Sequence, residues 1–314
     1  MVWAHRHLLG IEELSPADID ALLERAEKWW ELSRKPEKRA GVLSGRTVIN
    51  AFFEASTRTR TSFEVAAKRL GADVVNVSSV GTSLVKGETL LDTAKNLEAL
   101  RADALVVRHA SSGAAAFLAK RLSCSILNGG DGAHEHPTQA LLDAFTIKKA
   151  KGRLDGLSVA ICGDIAHSRV ARSNAILLGK KGAEVRFAGP KTMLPRSAEV
   201  LGPTVRVMSR FEEALEGADV VMMLRIQTER LAGAMMATTR EYARTFGLNA
   251  TRLALAKPDA IVMHPGPINR GVEIDSRIAD GERSVILDQV EAGVAVRMAA
   301  LDLLLSTRTP EKPS

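Results

Sequence analysis

Residues 52–64 read Phe-Phe-Glu-Ala-Ser-Thr-Arg-Thr-Arg-Thr-Ser-Phe-Glu, and this stretch decides the fold because it joins a predicted buried strand to a predicted helix. The apolar run over 47–53 is typical of a strand, and the apolar spacing over 61–70 is typical of a helix. The first amides of a helix have no acceptor within the helix, and the helix dipole is positive there. The polar side chains at this helix start are Ser56, Thr57, Arg58 and Thr59. We therefore expect a phosphate site here, and the plainer alternative is a capped surface helix with an arginine pair.

The composition is typical of a globular protein with two domains. The chain has 314 residues, of which 46% are hydrophobic, and this is enough for two cores of ordinary size. The sequence contains no apolar run of about 18 residues, and residues 1–7 lack a signal-peptide hydrophobic block, so we expect no membrane segment. Cys124 and Cys162 have apolar neighbours and cannot form a disulfide framework. They indicate core packing in a reducing compartment, and we expect a cytoplasmic protein.

The charge balance favours small anionic ligands over nucleic acid. The net charge is +6 and the pI is about 9.4, but lysine and arginine are spread along the chain and mixed with acidic residues. A single tyrosine and an aromatic content of 4% offer little for stacking bases. We therefore expect no nucleic-acid partner.

The order of predicted elements indicates an α/β protein. Ser15-Pro16-Ala-Asp18 has the pattern of a helix start, with a cap, a first-turn proline and an acid three residues after the serine. The apolar stripe of this helix is Ile19, Leu22, Leu23, Ala26 and Trp30. Beyond Gly45, short Val/Ile-rich runs alternate with helical stretches. This alternation predicts two doubly wound domains, each with a mainly parallel sheet flanked by helices.

Polar side chains follow the predicted strands at their carboxyl ends. The strand candidates are 72–77, 102–108, 157–163, 218–225 and 258–264. The polar residues at or just after their ends are Ser78, Ser79, Arg108, His109, Asp164, Arg225, Gln227 and His264. Ligands of open parallel sheets bind beyond the carboxyl ends of the strands, so these residues predict the active site.

A glycine-rich loop over 129–136 separates the two groups of strands and leads into a helix. We place a first domain at 1–136, an interdomain helix at 137–152 and a second domain at 153–288. A closing helix at 289–306 is expected to pack back on the first domain, and 307–314 is expected to be a disordered tail. The active site is then expected in the cleft between the domains.

Several other chemistries lack their sequence patterns. The segment 163–169 follows a strand but is not Gly-x-Gly-x-x-Gly, and the sequence contains no P-loop. His134-Glu135-His136 allows a metal hypothesis, but a third histidine or a cysteine at ligand spacing is missing, and a loop histidine is the plainer alternative. Neither a Gly-x-Ser-x-Gly elbow nor a cysteine signature is present. We expect no metal and no cofactor.

The Ser56-Thr-Arg-Thr-Arg60 segment resembles the signature of the aspartate/ornithine carbamoyltransferase family, and further family motifs follow in order as His136-Pro-Thr-Gln139, Arg225-Ile-Gln227 and His264-Pro-Gly-Pro267. The resemblance implies a carbamoyl phosphate site made by Ser56, Thr57, Arg58, Thr59, Arg108, His136, Gln139, Gly266, Pro267 and Ser83. In it, the carbonyl group is polarised by Thr59, Arg108 and His136, and Gln139 contacts the amide nitrogen. Arg58 and Lys86 complete the catalytic residues that the resemblance implies.

Arg225 and Gln227 resemble the aspartate branch of this family. Residues two apart on a strand share a side, so this pair can grip one dicarboxylic acceptor, and a solvated strand end is the plainer alternative. Pro265 stands where the ornithine branch carries a cysteine. The implied acceptor residues are Lys86, Arg169, Arg225 and Gln227. The implied product is N-carbamoyl-L-aspartate, formed with phosphate early in de novo pyrimidine biosynthesis. Ornithine as acceptor is the alternative, and a binding protein that has lost catalysis is a third hypothesis.

The loop that contains Ser83 and Lys86 leads to a prediction about assembly. Taken alone, it is an exposed connection with one solvated lysine. The resemblance implies that both side chains reach the active site of a neighbouring subunit. The chain is then expected to form a homotrimer or a dimer of trimers, and separate regulatory chains or a dihydroorotase-like partner remain alternatives.

Overall fold

The computed structural model describes residues 3–78, 87–226 and 238–306. The chain divides into two compact units, at Leu142/Asp143 and again at Val290/Glu291, so the N-terminal and C-terminal parts together form unit 1 and the central part forms unit 2. The first division falls within a helix that was expected to link the domains. The limits 136 and 153 stay predictions, and the expected tail at 307–314 lies outside the described residues.

Unit 1 is built around a four-stranded sheet in which all paired strands are parallel. Its elements in chain order are α1 (Pro16–Ser33), β1 (Thr47–Phe52), α2 (Thr57–Arg69), β2 (Asp73–Ser78), α3 (Leu90–Ala99), β3 (Ala104–His109), α4 (Ala114–Ala119), β4 (Ser125–Asp131), the start of α5 (Pro137–Lys151) and most of α11 (Ile286–Leu305). The strand order is β2-β1-β3-β4. The two central strands β1 and β3 are almost entirely buried, so the core of the unit lies around them.

Helix α1 confirms the expected start. The Asp18 amide donates to Ser15 Oγ at 3.1 Å, and the Ser15 amide donates to Asp18 Oδ2 at 2.9 Å, which closes a capping box ahead of the first turn. The buried side of the helix consists of Ile19, Leu22, Leu23, Ala26, Trp29 and Trp30. The predicted stripe is therefore the core-facing side, with Trp29 added to it.

Helix α11 begins at Ile286 rather than at 289. Within unit 1 its Asp302 Oδ2 accepts from Arg25 Nη1 at 2.6 Å and from Trp29 Nε1 at 3.2 Å, both on α1. Arg297 Nη1 donates to Ser62 Oγ on α2 at 3.0 Å. These bonds connect α11 to α1 and α2.

Unit 2 contains a five-stranded sheet, and its paired strands are also all parallel. Its elements after α5 are β5 (Ser158–Cys162), α6 (Arg169–Lys180), β6 (Glu184–Ala188), two 3₁₀ turns (Lys191–Met193 and Arg196–Leu201), β7 (Val205–Val207), α7 (Phe211–Leu215), β8 (Val220–Met223), α8 (Thr239–Phe246), α9 (Ala250–Leu253), β9 (Ile261–Met263) and α10 (Ser276–Ala279). The strand order is β7-β6-β5-β8-β9. The expected fold class, two units with parallel sheets flanked by helices, is confirmed.

Two details of the first sheet differ from the expectation. The glycine-rich segment predicted as a loop from 129 begins as strand: β4 runs to Asp131, which pairs with His109 of β3. Strand β2, predicted from an apolar run, is an edge strand of the described sheet and exposes Val75. In unit 2 the sequence missed β6 and β7, since charged residues interrupt both.

Each sheet has a switch point at which the chain reverses the direction of strand addition. In unit 1, β2 lies on one side of β1, and β3 and β4 lie on the other. In unit 2, β6 and β7 lie on one side of β5, and β8 and β9 lie on the other. Loops at the carboxyl ends of the strands diverge at such points and leave a crevice, so the ligand sites are expected beside β1/β3 and β5/β8. Among the described helices, none is long and apolar enough to span a bilayer.

Candidate active site

The switch point of unit 1 brings the quoted segment beside Arg108. Phe52 at the end of β1 is in register with Arg108 on β3, and the Phe53 amide donates to the Arg108 carbonyl at 2.8 Å. Helix α2 then begins at Thr57, earlier than the expected 61, so Arg58 lies in its first turn. The predicted strand, helix start and arginine therefore share one edge of the sheet.

Ser56 occupies the cap position of α2 without acting as a cap. Its backbone is extended, and within the described residues its hydroxyl accepts no capping bond from the helix. The first turn contains no acidic residue to offset the positive helix end. Thr57 and Arg58 are exposed, whereas Thr59 is 8% exposed. This arrangement offers hydroxyl, amide and guanidinium donors to an anion rather than to the helix itself.

The Arg108 side chain is fixed at the carboxyl edge between β1 and β4. Its Nη1 donates to the Gly129 carbonyl on β4 at 3.1 Å, and its Nη2 lies 3.5 Å from Glu54 Oε1. The side chain is 11% exposed. Glu54 lies inside the quoted segment, but nothing in the sequence pattern indicates its contact with Arg108. Two fixed partners orient the guanidinium, so little rotamer freedom is left to lose when a ligand binds.

A buried carboxylate organises the connection from β4 to α5. Asp131 Oδ1 accepts from Asn128 Nδ2 at 2.7 Å and from the Glu135 amide at 3.1 Å, and Asp131 Oδ2 accepts from the Gly113 amide at 2.6 Å. Gly132 has φ +51°, and a Cβ there would overlap Ser112, so glycine is required. The sequence pattern gave no sign of this network, which fixes the turn that leads to His136.

His136 and Gln139 lie at the start of α5, as the motif predicted. The His136 carbonyl accepts from the Gln139 amide at 2.9 Å, and their side chains belong to residues that are 4% and 8% exposed. His134 instead contacts Asp131, with 3.3 Å between Nδ1 and Oδ2. Over 3–78, 87–226 and 238–306, no group of three or more His, Cys, Asp or Glu side chains is placed to hold a metal ion.

The switch point of unit 2 brings the ends of β5 and β8 together. The Leu224 amide donates to the Cys162 carbonyl at 2.8 Å, and Gly163, with φ +135°, packs so closely that a Cβ would lie 3.0 Å from Leu224 Cβ. Arg225 follows Leu224 and is half-buried. Two strands thus deliver a cation to the edge at which the fold predicts a ligand.

Arg169 begins α6 at the same edge. Ser168 caps this helix by accepting from the Ala171 amide at 3.1 Å. Asp164, which follows β5, is occupied locally because its Oδ1 contacts His167 Nδ1 at 2.9 Å. Arg169, at the first helical position, is half-buried, so its place fits the expected contact with an acceptor carboxylate.

His264 corrects one expectation. The sequence placed its side chain among the groups that face the site, but the side chain is 0% exposed and its Nε2 lies 3.1 Å from Glu273 Oε1. Its Nδ1 accepts from the Gly266 amide at 2.7 Å. The imidazole therefore supports the following Gly266-Pro267 turn from inside the unit. The predicted ligand role of Gly266 and Pro267 stays a prediction.

The cysteines behave as core residues, as expected. Burial raises the pKa of the Cys124 thiol to about 12, and burial also raises the pKa of Cys162. The thiolate is the nucleophilic form, so neither side chain is suited to nucleophilic catalysis near neutral pH.

Four predicted site residues, Ser79, Ser83, Lys86 and Gln227, lie outside the described residues.

Two domain models of one enzyme family together match most of the chain. The model of the carbamoyl-P binding domain of aspartate/ornithine carbamoyltransferases matches residues 6–149. The model of the Asp/Orn binding domain of the same enzymes matches residues 155–304. The chain belongs to the aspartate/ornithine carbamoyltransferase family.

Within this family, a curated relative from the aspartate branch is very similar. The aspartate carbamoyltransferase catalytic subunit of Sorangium cellulosum is 65% identical over 303 residues, covering 96% of this chain and 94% of the relative.

Solved structures from both branches of the family are similar to this chain. The Trypanosoma cruzi aspartate transcarbamoylase, in complex with carbamoyl aspartate and phosphate, is 32% identical with a TM-score of 0.85, covering 96% of each chain. The Pyrococcus furiosus ornithine carbamoyltransferase is 31% identical with a TM-score of 0.88, covering 97% of this chain and 98% of that one. Backbone similarity therefore does not distinguish aspartate from ornithine as the acceptor. The acceptor-binding residues must make that distinction.

Proposed function

We propose that this protein is an enzyme that transfers the carbamoyl group of carbamoyl phosphate to the α-amine of L-aspartate. The products are N-carbamoyl-L-aspartate and phosphate, in an early step of de novo pyrimidine biosynthesis. The observation that carries the proposal is the uncapped start of α2 beside the fixed Arg108, a phosphate-binding arrangement at the switch point of unit 1. The high identity to an aspartate carbamoyltransferase catalytic subunit supports the acceptor.

The phosphate group is assigned to the start of α2. Ser56, Thr57 and Thr59 contribute hydroxyl donors, and Arg58 and Arg108 contribute charge. Charge-assisted hydrogen bonds are worth roughly 1.5 to 3 kcal/mol each, so Arg58 and Arg108 should be the most damaging single losses. Ser83, Gly266 and Pro267 are further proposed ligands of carbamoyl phosphate.

The carbamoyl carbonyl is assigned to Thr59, Arg108 and His136. A neutral imidazole with one N–H can donate to the carbonyl oxygen, so His136 need not be protonated for this role. Gln139 is proposed to accept from the amide nitrogen of the carbamoyl group. Donors placed where negative charge develops stabilise the tetrahedral intermediate, which is usually the largest single contribution to such catalysis.

The acceptor is assigned to unit 2. Arg225 and Arg169 are proposed to bind the carboxylates of aspartate, with Gln227 and Lys86. Support comes from the positions of Arg225 after β8 and Arg169 at the start of α6, both at the edge beside β5. Gln227 and Lys86 lie outside the described residues and are assigned by family resemblance.

The chemistry needs positioning rather than a protein nucleophile or a metal ion. The neutral amine of aspartate attacks the carbonyl carbon, a C–N bond forms, and the carbonyl π electrons move to oxygen. The oxyanion then collapses, the C–O bond to phosphate breaks, and the ammonium nitrogen releases a proton that the departing phosphate can take. Holding two anionic substrates against their repulsion explains the abundance of cationic and hydroxyl side chains.

We extend the proposal to assembly and location. Ser83 and Lys86 are proposed to act in a neighbouring subunit's site within a homotrimer, and a dimer of trimers, regulatory chains or a dihydroorotase-like partner are alternatives. A cytoplasmic location is proposed from the two free, buried cysteines.

The test of the function is colorimetric detection of the ureido product from carbamoyl phosphate, with L-aspartate and L-ornithine assayed side by side. Product with aspartate alone supports both the reaction and the acceptor. Product with ornithine alone overturns the assignment of Arg225 and Gln227 to aspartate, and product with neither overturns the proposed activity.

A further inference from the structure

A buried chain of hydrogen bonds lies behind the carboxyl end of β9 in unit 2. The His264 amide donates to Gln289 Oε1 at 2.9 Å, and Gln289 Nε2 donates to Asp143 Oδ1 at 2.7 Å. These residues are 2%, 3% and 0% exposed, in that order. Breaking such a buried bond leaves a polar group without a partner, which is costly, so the start of segment 264–273 is firmly held.

Glu273 holds the other end of the same segment. Its Oε1 accepts from the Asn269 amide at 2.6 Å and lies 3.1 Å from His264 Nε2. Because His264 Nδ1 already accepts from the Gly266 amide, the imidazole proton is on Nε2 and is donated to Glu273. The buried Glu273 carboxylate therefore binds two earlier residues of its own segment, His264 and Asn269. These bonds fix the position of Asn269.

The side chain of Asn269 binds the main chain that follows β8. Its Nδ2 donates to the Ile226 carbonyl at 2.8 Å. Ile226 is fully buried and follows Arg225 directly, three residues after the last residue of β8. The side chain of Asn269 therefore connects segment 264–273 to the main chain that bears the proposed acceptor-binding guanidinium.

We propose that Asn269 is a positioning residue for the amino-acid acceptor. It acts through the Ile226 carbonyl, because a fixed Ile226 main chain sets the direction of the Arg225 side chain next to it. A guanidinium binds a carboxylate best through two parallel bonds, and this geometry requires a fixed main chain. The inference rests on the proposed function, since it assigns Asn269 a role in the acceptor site of that reaction.

The test compares Asn269→Ala and Asn269→Asp with wild type by steady-state kinetics for both substrates. The alanine variant loses one neutral hydrogen bond, and the aspartate variant places a carboxylate oxygen against the Ile226 carbonyl. We expect KM for aspartate to rise about two- to tenfold in the alanine variant and further in the aspartate variant. KM for carbamoyl phosphate should stay within about twofold of wild type.

Asn249→Ala is the matched control in the same unit. Asn249 Oδ1 accepts from the Arg252 amide at 3.0 Å at the start of α9, so this variant also loses one asparagine-to-main-chain bond. Both KM values should be unchanged in it. If Asn269→Ala does not fold, Asn269→Ser is judged by the same criteria.

The outcomes distinguish a failure of the proposed activity from a failure of the role of Asn269. Wild-type protein that forms no carbamoyl aspartate overturns the proposed function and this inference with it. Active wild-type protein with an unchanged aspartate KM in the Asn269 variants, or with equal rises in both KM values, overturns the positioning role alone.

Discussion

Arg108 gives the sharpest test of the phosphate site. Replacing it by alanine removes a guanidinium that is 11% exposed and is already oriented by Gly129 and Glu54. Loss of a donor to a developing oxyanion typically costs about 2.7 to 4 kcal/mol, so kcat should fall roughly 10²- to 10³-fold. Loss of its bond to phosphate should also raise KM for carbamoyl phosphate, by about tenfold or more.

The same substitution weakens the fold, and a matched arginine separates the two effects. Arg108→Ala leaves the Gly129 carbonyl and the Glu54 carboxylate without this partner, which should lower the free energy of unfolding by about 1 to 3 kcal/mol. Arg46 pairs with Asp103, with 2.8 Å between Nη1 and Oδ1, at the amino ends of the same strands β1 and β3. Arg46→Ala should lose similar stability in urea unfolding but keep kcat within about twofold.

Two results would contradict the proposed role of Arg108. The first is an Arg108→Ala protein that keeps kcat within tenfold of wild type under saturating substrates. The second is an Arg46→Ala protein that loses as much activity as Arg108→Ala, because the loss would then follow stability rather than contact with substrate.

Three further predictions concern the acceptor, the assembly and the cysteines. Arg225→Ala should raise KM for aspartate far more than KM for carbamoyl phosphate, and equal rises would contradict its role. Inactive Lys86→Ala and Arg58→Ala chains, once mixed and shown to exchange subunits, should regain partial activity through hybrid sites, and no recovery would contradict action in trans. Because burial raises the pKa of both Cys124 and Cys162, a thiol reagent at pH 8 should label neither thiol in the native protein and both in guanidinium chloride, and rapid labelling of the native protein would contradict their burial.

The sequence predicted elements whose local signals agree with the final fold. The Ser15/Asp18 capping box, the first-turn proline and the apolar stripe all favour the same helix, and α1 forms there. The segment from Thr47 to Thr59 likewise combines a strand, a cap position and a helix, and β1 and α2 follow that order. The anion site could be predicted because its donors lie next to one another in the chain.

Strand β4 could not be predicted from local preference. Asn128-Gly-Gly-Asp131 is a turn-forming sequence, and glycine, asparagine and aspartate are depleted in strands. The segment is extended because it pairs with β3 and because Asp131 binds the Gly113 amide. Tertiary contacts therefore override propensity at the place where Arg108 meets the Gly129 carbonyl.

The contacts that hold the proposed acceptor site in place could not be predicted from the sequence either. The sequence placed the His264 side chain at the site, but it is buried against Glu273, and its amide is held by Gln289. Asn269 binds a carbonyl far away in the sequence, at Ile226. A single sequence carries no signal for such pairings, since each depends on the packing of separate elements.

The most direct test of the central claim is the ratio of kcat/KM for L-aspartate to kcat/KM for L-ornithine, measured on the wild-type protein with saturating carbamoyl phosphate. A site built to bind a second carboxylate should strongly reject an acceptor that brings a cation instead. We expect a preference for aspartate of at least about 10³-fold. A ratio near one, or a preference for ornithine, would contradict it.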